Sequence, residues 1–106
     1  MDRPRDKDRG KNGTSLSAIR LVLFVTGLTP RSTKAIENIR SFCESELGGT
    51  CNLQVVDIYL EPELAAQEQV IAVPLLIRYE PVPERRIIGD LSDTAKLRRS
   101  LGLQAA

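Results

Sequence analysis

The chain has 106 residues, of which 42% are hydrophobic and 27% charged, and its formal net charge at pH 7 is +1. This length suits one domain with a modest core. The near balance of charge and the aromatic content of only 4% argue against a protein that binds nucleic-acid phosphates or stacks aromatic side chains on bases. Histidine is absent, which excludes imidazole-based catalysis and argues against a zinc site. We therefore expect no catalytic residue, no metal, no cofactor and no nucleic acid.

The N-terminal segment is rich in charged residues, glycine, proline and serine and has no hydrophobic periodicity. Such a segment cannot bury enough surface to offset its ordering entropy. We predict a disordered arm over 1–18 and a folded domain over 19–106. The longest apolar run, Leu21–Val25, is far shorter than the roughly 18 residues of a membrane span. No signal peptide is recognisable, so we expect a cytoplasmic protein that does not enter a membrane.

The first half of the domain is predicted to be strand, helix and strand. Ile19–Val25 is apolar except for one arginine, which is typical of a central strand. Thr29 is a good helix N-cap, Pro30 fits the first helical position, and the glycine pair at 48–49 predicts the helix end. The inner helix face comprises Ala35, Ile36, Ile39, Phe42, Cys43 and Leu47. Leu53–Leu60 is the second strand, parallel to the first.

The second half is predicted to contain a short helix, a hairpin and a last helix. The short helix begins near Pro62, the hairpin joins Leu75–Tyr79 to Arg85–Ile88, and Ser92 caps the last helix. The order βαβαββα is that of the α/β thioredoxin-like fold. Such folds often hold a cis proline where Pro74 stands, and the sequence leaves the cis and trans forms open.

The segment after the first strand lacks the residues of a redox enzyme. A thioredoxin-like reductase carries C-x-x-C there, where the helix N-terminus lowers a thiol pKa, whereas this chain has Gly-Leu-Thr-Pro at 27–30. Cys43 and Cys51 lie elsewhere, and we expect both to be reduced, buried apolar residues. We interpret the scaffold as a protein-recognition module. A thioredoxin-like redox or stress protein is the alternative, and a homo-oligomeric structural protein is a third hypothesis.

Short motifs spread over the chain narrow this interpretation. They are VTGLTPRS at 25–32, AIENIR at 35–40, CE and LGG within 43–49, VVDI at 55–58, PELA at 62–65, AVP at 72–74 and PVPERRIIGDLSD at 81–93. In this order and spacing they resemble the KaiB family of circadian clock proteins, from about Ile19 to Leu103. The last block is the most specific.

The resemblance implies a non-enzymatic partner of a KaiC-type hexameric ATPase in a circadian, timing or stress-adaptation system. Sensor histidine kinases of the clock output are further implied partners. Members of the family adopt either a tetrameric ground state with a rearranged second half or a thioredoxin-like monomer that binds the ring. The resemblance therefore implies a dimer or tetramer at rest, a monomer when switched, and a partner that selects one fold.

The family's partner surface comprises the first helix, the second strand and the region of the arginine pair. The matching residues here are Lys34, Asn52, Gln54, Arg85 and Arg86, and each of them also suits a solvated surface. The residues that we associate with fold switching and its structural support are Pro74, Gly89, Asp90, Ser100 and Gly102.

Two departures from the family pattern bear on the fold. Leu75 stands where the family usually has threonine, and Ser-Leu-Gly-Leu at 100–103 stands where it usually reads Gly-Leu-Asp-Leu. Because glycine in a helix interior costs about 0.5–1 kcal/mol relative to alanine, Ser100 favours a terminal helix. We hypothesise that this chain is biased toward the thioredoxin-like fold.

Overall fold

The computed structural model describes residues 19–48 and 51–102, and the predicted arm at 1–18 lies outside them. In chain order the elements are β1 (Ile19–Val25), α1 (Pro30–Leu47), β2 (Cys51–Asp57), α2 (Pro62–Gln67), β3 (Leu75–Glu80), β4 (Arg85–Ile88) and α3 (Thr94–Ser100). The predicted order βαβαββα is confirmed. None of the helices in these two ranges has the length and apolar character needed to cross a membrane.

The four strands form one sheet in the order β2-β1-β3-β4. β1 pairs in parallel with β2, with Ile19 opposite Cys51, and antiparallel with β3. β3 pairs antiparallel with β4, as the predicted hairpin requires. Every residue of β1 except Arg20 is buried, because this central strand is covered on both faces. The prediction that Ile19–Val25 forms a central strand is therefore confirmed.

Two apolar clusters lie on opposite faces of the sheet. The α1-side core joins α1 and α3 to the sheet, and its most buried members are Leu21, Leu23, Ala35, Ile39, Leu76 and Leu97. The α2-side core is smaller and consists of Val22, Phe24, Val56, Leu75 and Ile77, with Leu64 of α2 packed against it. The alternation of β-strand side chains divides neighbouring residues of β1 and β3 between these two clusters.

Both ends of α1 are closed as the sequence predicts. The Thr29 hydroxyl oxygen accepts a hydrogen bond of 3.2 Å from the backbone N–H of Ser32, and Pro30 begins the helix. At the other end Gly48 has φ 57° and donates its N–H to the carbonyl of Cys43. Glycine is the residue best suited to this left-handed cap.

The predicted start of α3 and both predicted ends of β2 are wrong. Asp93, not Ser92, caps α3, because its carboxylate accepts the Lys96 N–H at 3.0 Å. Ser92 instead donates its N–H to the Asp90 carboxylate at 3.0 Å and lies in the preceding turn. β2 was predicted over Leu53–Leu60, but it begins at Cys51, which already pairs with Ile19, and it ends at Asp57. The Asp57 carboxylate accepts the N–H two residues on and starts a turn.

Candidate partner-binding surface

The five predicted partner-binding residues are all exposed, but they lie on three different elements. Lys34 lies on α1, Asn52 and Gln54 lie on β2, and the pair Arg85 and Arg86 lies on β4. Because β2 and β4 are the two edges of the sheet, the five residues cannot form one compact patch.

The strand register assigns three of these residues to one sheet face. Gln54 lies opposite Val22, and Ile77 lies opposite both Val22 and Arg86. Val22 and Ile77 belong to the α2-side core, so Gln54 and Arg86 occupy the two ends of one row on that face. Asn52, two residues before Gln54, shares the face.

The other two predicted residues lie on the opposite side of the sheet. Arg85 neighbours Arg86 in β4 and therefore points to the other face, which is the face covered by α1 and Lys34. The candidate surface thus consists of two parts, and the arginine pair contributes one residue to each.

A network of polar side chains links Arg20 of β1 to Arg86 of β4 across the α2 face. The guanidinium of Arg20 lies 5.0 Å from the centre of the Tyr79 ring, at a distance that suits a cation–π contact. The Tyr79 hydroxyl donates to the carboxylate of Glu68, which lies 3.9 Å from the guanidinium of Arg86. Burial first, and then the bond to Glu68, raise the pKa of Tyr79, so its hydroxyl keeps its proton. The sequence analysis missed this network.

A cleft of about 380 Å³ lies where β1 passes into α1. Its lining is mainly apolar and includes Leu28, Leu60 and Leu64, with Gln54 and Asp57 among its polar residues. Leu28 is 91% exposed and Leu60 is 77% exposed, and the neighbouring Tyr59 is 74% exposed. Large apolar side chains exposed together are typical of interaction sites. The sequence analysis missed these three residues, although apolar residues in turns at strand ends are a signal that it could have used.

Three of the predicted fold-switch residues meet at one point. Pro74 is buried, its peptide bond with Val73 is cis, and its carbonyl accepts the N–H of Gly89 at 3.0 Å. Gly89 has φ 127°. The adjacent Asp90 receives the side-chain amide of Asn38 at its backbone carbonyl, at 2.8 Å. This contact ties the turn before α3 to α1.

The Asp90 carboxylate is held in its charged form by its surroundings. Hydrogen bonds from the hydroxyl and the backbone N–H of Ser92 lower its pKa, and the positive charges of Arg31 and Lys34 lower it further. The predicted binding residue Lys34 therefore acts electrostatically on the predicted switch residue Asp90.

Ser100 and Gly102 lie at the other end of α3, and Gly102 lies next to a buried arginine. Arg78 is 5% exposed, and it donates from Nη2 to the carbonyl of Pro83 at 2.7 Å. Gly102 has φ 73°, and a Cβ there would lie 3.5 Å from Nη1 of Arg78. Within 19–48 and 51–102, Nε of Arg78 has no hydrogen-bond partner. Burial, and secondarily Arg85, lower the pKa of Arg78.

The fold and the segment after β1 define a class, the thioredoxin-like α/β proteins that lack the C-x-x-C motif. Solved structures agree with this fold. The N-terminal domain of SasA from Synechococcus elongatus superposes with a TM-score of 0.67 at 21% identity, covering 94% of this chain and 98% of that domain. Thioredoxin from Fasciola hepatica superposes with a TM-score of 0.65 at 19% identity, covering 79% and 78%.

Sequence comparison gives the family. The KaiB domain model matches residues 22–103. The chain is 42% identical over 83 residues to the circadian clock oscillator protein KaiB of Prochlorococcus marinus, covering 78% of this chain and 79% of that protein. It is 39% identical over 82 residues to the circadian clock protein KaiB3 of Synechocystis, covering 77% and 80%. The chain belongs to the KaiB family.

Proposed function

We propose that this chain is a non-enzymatic regulatory module that binds a KaiC-type hexameric ATPase in a circadian, timing or stress-adaptation system. The observation that carries the proposal is the KaiB match over residues 22–103. The segment at 27–30 supports it, because an exposed leucine occupies the site at which redox relatives of this fold carry thiols.

The cleft beside β1 and α1 supplies the apolar centre that such an interface needs. Protein interfaces combine a few buried apolar or aromatic anchors with a polar rim. Leu28 and Leu60 are the candidate anchors, and Gln54 lines the same cleft. Asn52 and Gln54 lie on β2, an edge strand whose outer side pairs with no other strand among the described residues. The proposed primary contact is therefore the turn that precedes α1 together with β2 and the turn that follows it.

The residues on β4 and α1 form a secondary part of the proposed surface. Arg86 lies on the α2 face with Gln54, whereas Arg85 and Lys34 lie on the α1 side. A partner centred on the cleft reaches Arg86 only across the whole sheet. We therefore propose that Gln54 and Asn52 contribute more to affinity than Lys34, Arg85 or Arg86.

The proposed mode of action is selection by the partner of one fold of a bistable chain. The thioredoxin-like arrangement is the binding form in this proposal, and Ser100, as the last residue of α3, supports it. Solution NMR of the free chain is the test. Secondary shifts from residue 62 onward that match α2, β3, β4 and α3 support the bias, and a different order of elements there contradicts it.

A binding assay with a purified KaiC-type ATPase tests the partner. The wild-type chain and the variant Leu28→Asp are titrated against the ring with ATP and with ADP, and affinity is read by fluorescence anisotropy. Truncating or charging an anchor costs at least 2 kcal/mol, so we expect about 30-fold weaker binding. Ile71→Asp is the matched control, since Ile71 is 94% and Leu28 91% exposed. No binding of the wild type in either nucleotide state contradicts the proposal.

The thioredoxin-like redox or stress protein is the alternative function. A disulfide-reductase assay with insulin separates this redox function from the KaiC-binding function. Catalytic turnover requires a thiol pair that the segment at 27–30 lacks, so the KaiC-binding proposal predicts none. Sensor histidine kinases of the clock output, and a dimer or tetramer at rest, are further predictions of the KaiB proposal. The same titration with a kinase sensor domain and sedimentation of the free chain test them.

A further inference from the structure

Two cysteines that are separated in the sequence meet in the fold. Cys43 lies in the last turns of α1 and Cys51 begins β2. Their Sγ atoms lie 2.8 Å apart, and both are free thiols. Both cysteines were predicted from the sequence to be reduced, buried apolar residues. This is correct for the burial of Cys43 alone, since Cys51 is half-buried and the two side chains touch.

The surrounding backbone holds the two sulfurs together. β2 is fixed by its parallel ladder with β1, in which Cys51 lies opposite Ile19. The end of α1 is fixed by its glycine cap, whose N–H binds the carbonyl of Cys43 itself. A disulfide needs two sulfurs that can approach to about 2.0 Å. Contact between these thiols in the reduced state means that only small side-chain movements separate them from a covalent bond.

The two thiols differ in acidity and in exposure. The Cys43 thiol donates a hydrogen bond to the sulfur of Cys51. This bond lowers the pKa of Cys51 against the opposing effect of burial. The same contact, followed by burial and the negative charge of Cys51, raises the pKa of Cys43. A surface groove of about 550 Å³, lined by Arg40 and Glu44 among others, reaches both cysteines. Cys51 is therefore the more acidic and the more exposed thiol, which makes it the expected attacking sulfur, and Cys43 is its proton-holding neighbour.

We propose that Cys43 and Cys51 form a redox-modification site at which a hydroperoxide produces an intramolecular disulfide. The Cys51 thiolate attacks the peroxide oxygen, the O–O bond breaks, and an alcohol or water leaves after protonation. The resulting sulfenic acid at Cys51 is then attacked by the sulfur of Cys43, which loses its proton as water leaves. Two thiols are oxidised by two electrons in total, and one hydroperoxide is reduced. A small-molecule dithiol reverses the modification by exchange.

The disulfide would join the end of α1 to the edge strand β2. It closes a short loop over residues 43–51, immediately before Asn52. The modification is stoichiometric and needs no C-x-x-C motif, so it is distinct from disulfide-reductase turnover. It also does not depend on binding to an ATPase, so the mass measurement below tests it separately from the proposed function.

Intact mass and peptide mapping test the site on the full chain. The reduced protein is treated with one equivalent of hydrogen peroxide, alkylated and cleaved after glutamate. Cleavage after Glu44 and Glu46 separates the two cysteines, so a disulfide keeps the two fragments joined. We expect a loss of two hydrogen masses, joined fragments, and recovery of both free thiols with dithiothreitol. Independent oxidation of either thiol without joined fragments, or disulfides between chains only, overturns the proposal.

Paired variants assign the two roles. In Cys43→Ser we expect Cys51 to accumulate as a sulfenic acid that dimedone traps. In Cys51→Ser we expect Cys43 to react with peroxide at least ten-fold more slowly. In the wild type, alkylation at pH 7 should modify Cys51 at least ten-fold faster than Cys43. Equal alkylation rates in the wild type, which needs no variant to fold, contradict the assignment of Cys51 as the attacking thiol.

Discussion

The two halves of the domain are built differently. In the first half, α1 has 18 residues, six of them buried, and both of its ends are closed by contacts from its own segment. In the second half, α2 has six residues, none of them buried, and Glu61 at its start makes no side-chain capping bond. α3 has seven residues and buries only Leu97 within the helix.

This difference indicates where the fold resists change. Helices shorter than about 12 residues have little stability of their own and depend on packing. α1 has both length and a buried face, whereas α2 rests on the smaller core through half-buried side chains such as Leu64. Segments with few buried contacts open at the lowest free energy. We therefore expect the second half to open at a lower free energy than the first.

The largest predicted effect comes from the core of α1. Ile39 is fully buried, so Ile39→Ala should lower the free energy of unfolding by about 2–5 kcal/mol. Leu64→Ala in α2, where the side chain is only half-buried, should cost clearly less. Urea denaturation followed by circular dichroism measures both. Equal losses would contradict the comparison, as would amide hydrogens in α2 that exchange as slowly as those of α1.

A second prediction concerns the glycine beside Pro74. Gly89 has φ 127°, and a Cβ there would meet no atom within 4 Å, so the cost of Gly89→Ala is backbone strain alone. We expect about 1–3 kcal/mol of destabilisation, measured by urea denaturation. Ala95→Gly, at an exposed position of α3, is the control for general effects on the second half. A stability equal to that of the wild type would show that the turn relaxes freely.

A third prediction compares the helix starts. Thr29→Ala removes the oxygen that accepts the Ser32 N–H and should cost about 0.5–2 kcal/mol. Glu61→Ala at the start of α2 removes no capping bond and should leave stability nearly unchanged. Thr29→Ser keeps the hydroxyl and should recover most of the loss. If Glu61→Ala lowers the free energy of unfolding as much as Thr29→Ala, side-chain capping does not distinguish the start of α1 from the start of α2.

The smallest predicted effect concerns the ion pair that joins the halves. Arg98 donates to both carboxylate oxygens of Glu46, at 3.1 and 2.8 Å, and this contact lowers the pKa of Glu46 below 4.5. A depressed carboxylate pKa stabilises the fold above the unfolded-state pKa, and the effect is lost as pH falls through the folded-state value. We expect Arg98→Gln to return the Glu46 pKa toward 4.5, as measured by NMR titration. An unchanged titration would exclude the pair in solution.

Local signals were sufficient to predict most of the fold from the sequence. The boundaries of β1, the cap at Thr29 and the stop at Gly48 depend on a few neighbouring residues, and all three are confirmed. The cap of α3 was wrong because Ser92 and Asp93 are both good capping residues. The Asp90 carboxylate accepts hydrogen bonds from both the hydroxyl and the N–H of Ser92 and so holds Ser92 in the preceding turn. A propensity for capping does not reveal that competition.

The candidate site was less predictable because it depends on which elements meet. The alternation of strand side chains alone indicates that Arg85 and Arg86 point to opposite faces. By contrast, the contact between Cys43 and Cys51 depends on how closely the end of α1 approaches the start of β2. The cleft likewise needs Leu28 and Leu60, from two separate turns, to line the same space. The spacing of residues in the sequence does not directly indicate that Cys43 approaches Cys51 or that Leu28 and Leu60 line one cleft.

The central position of β1 has a consequence for assembly. Its two sides carry separate hydrogen-bond ladders, one to β2 and one to β3. If β3 detached, β2 and α1 would stay in place while the freed side of β1 offered unpaired N–H and C=O groups. Such a bare strand recruits another strand. Separation of β3 from β1 would therefore require a new strand to pair with the freed side of β1, either from the chain's own refolded segment or from a neighbouring copy.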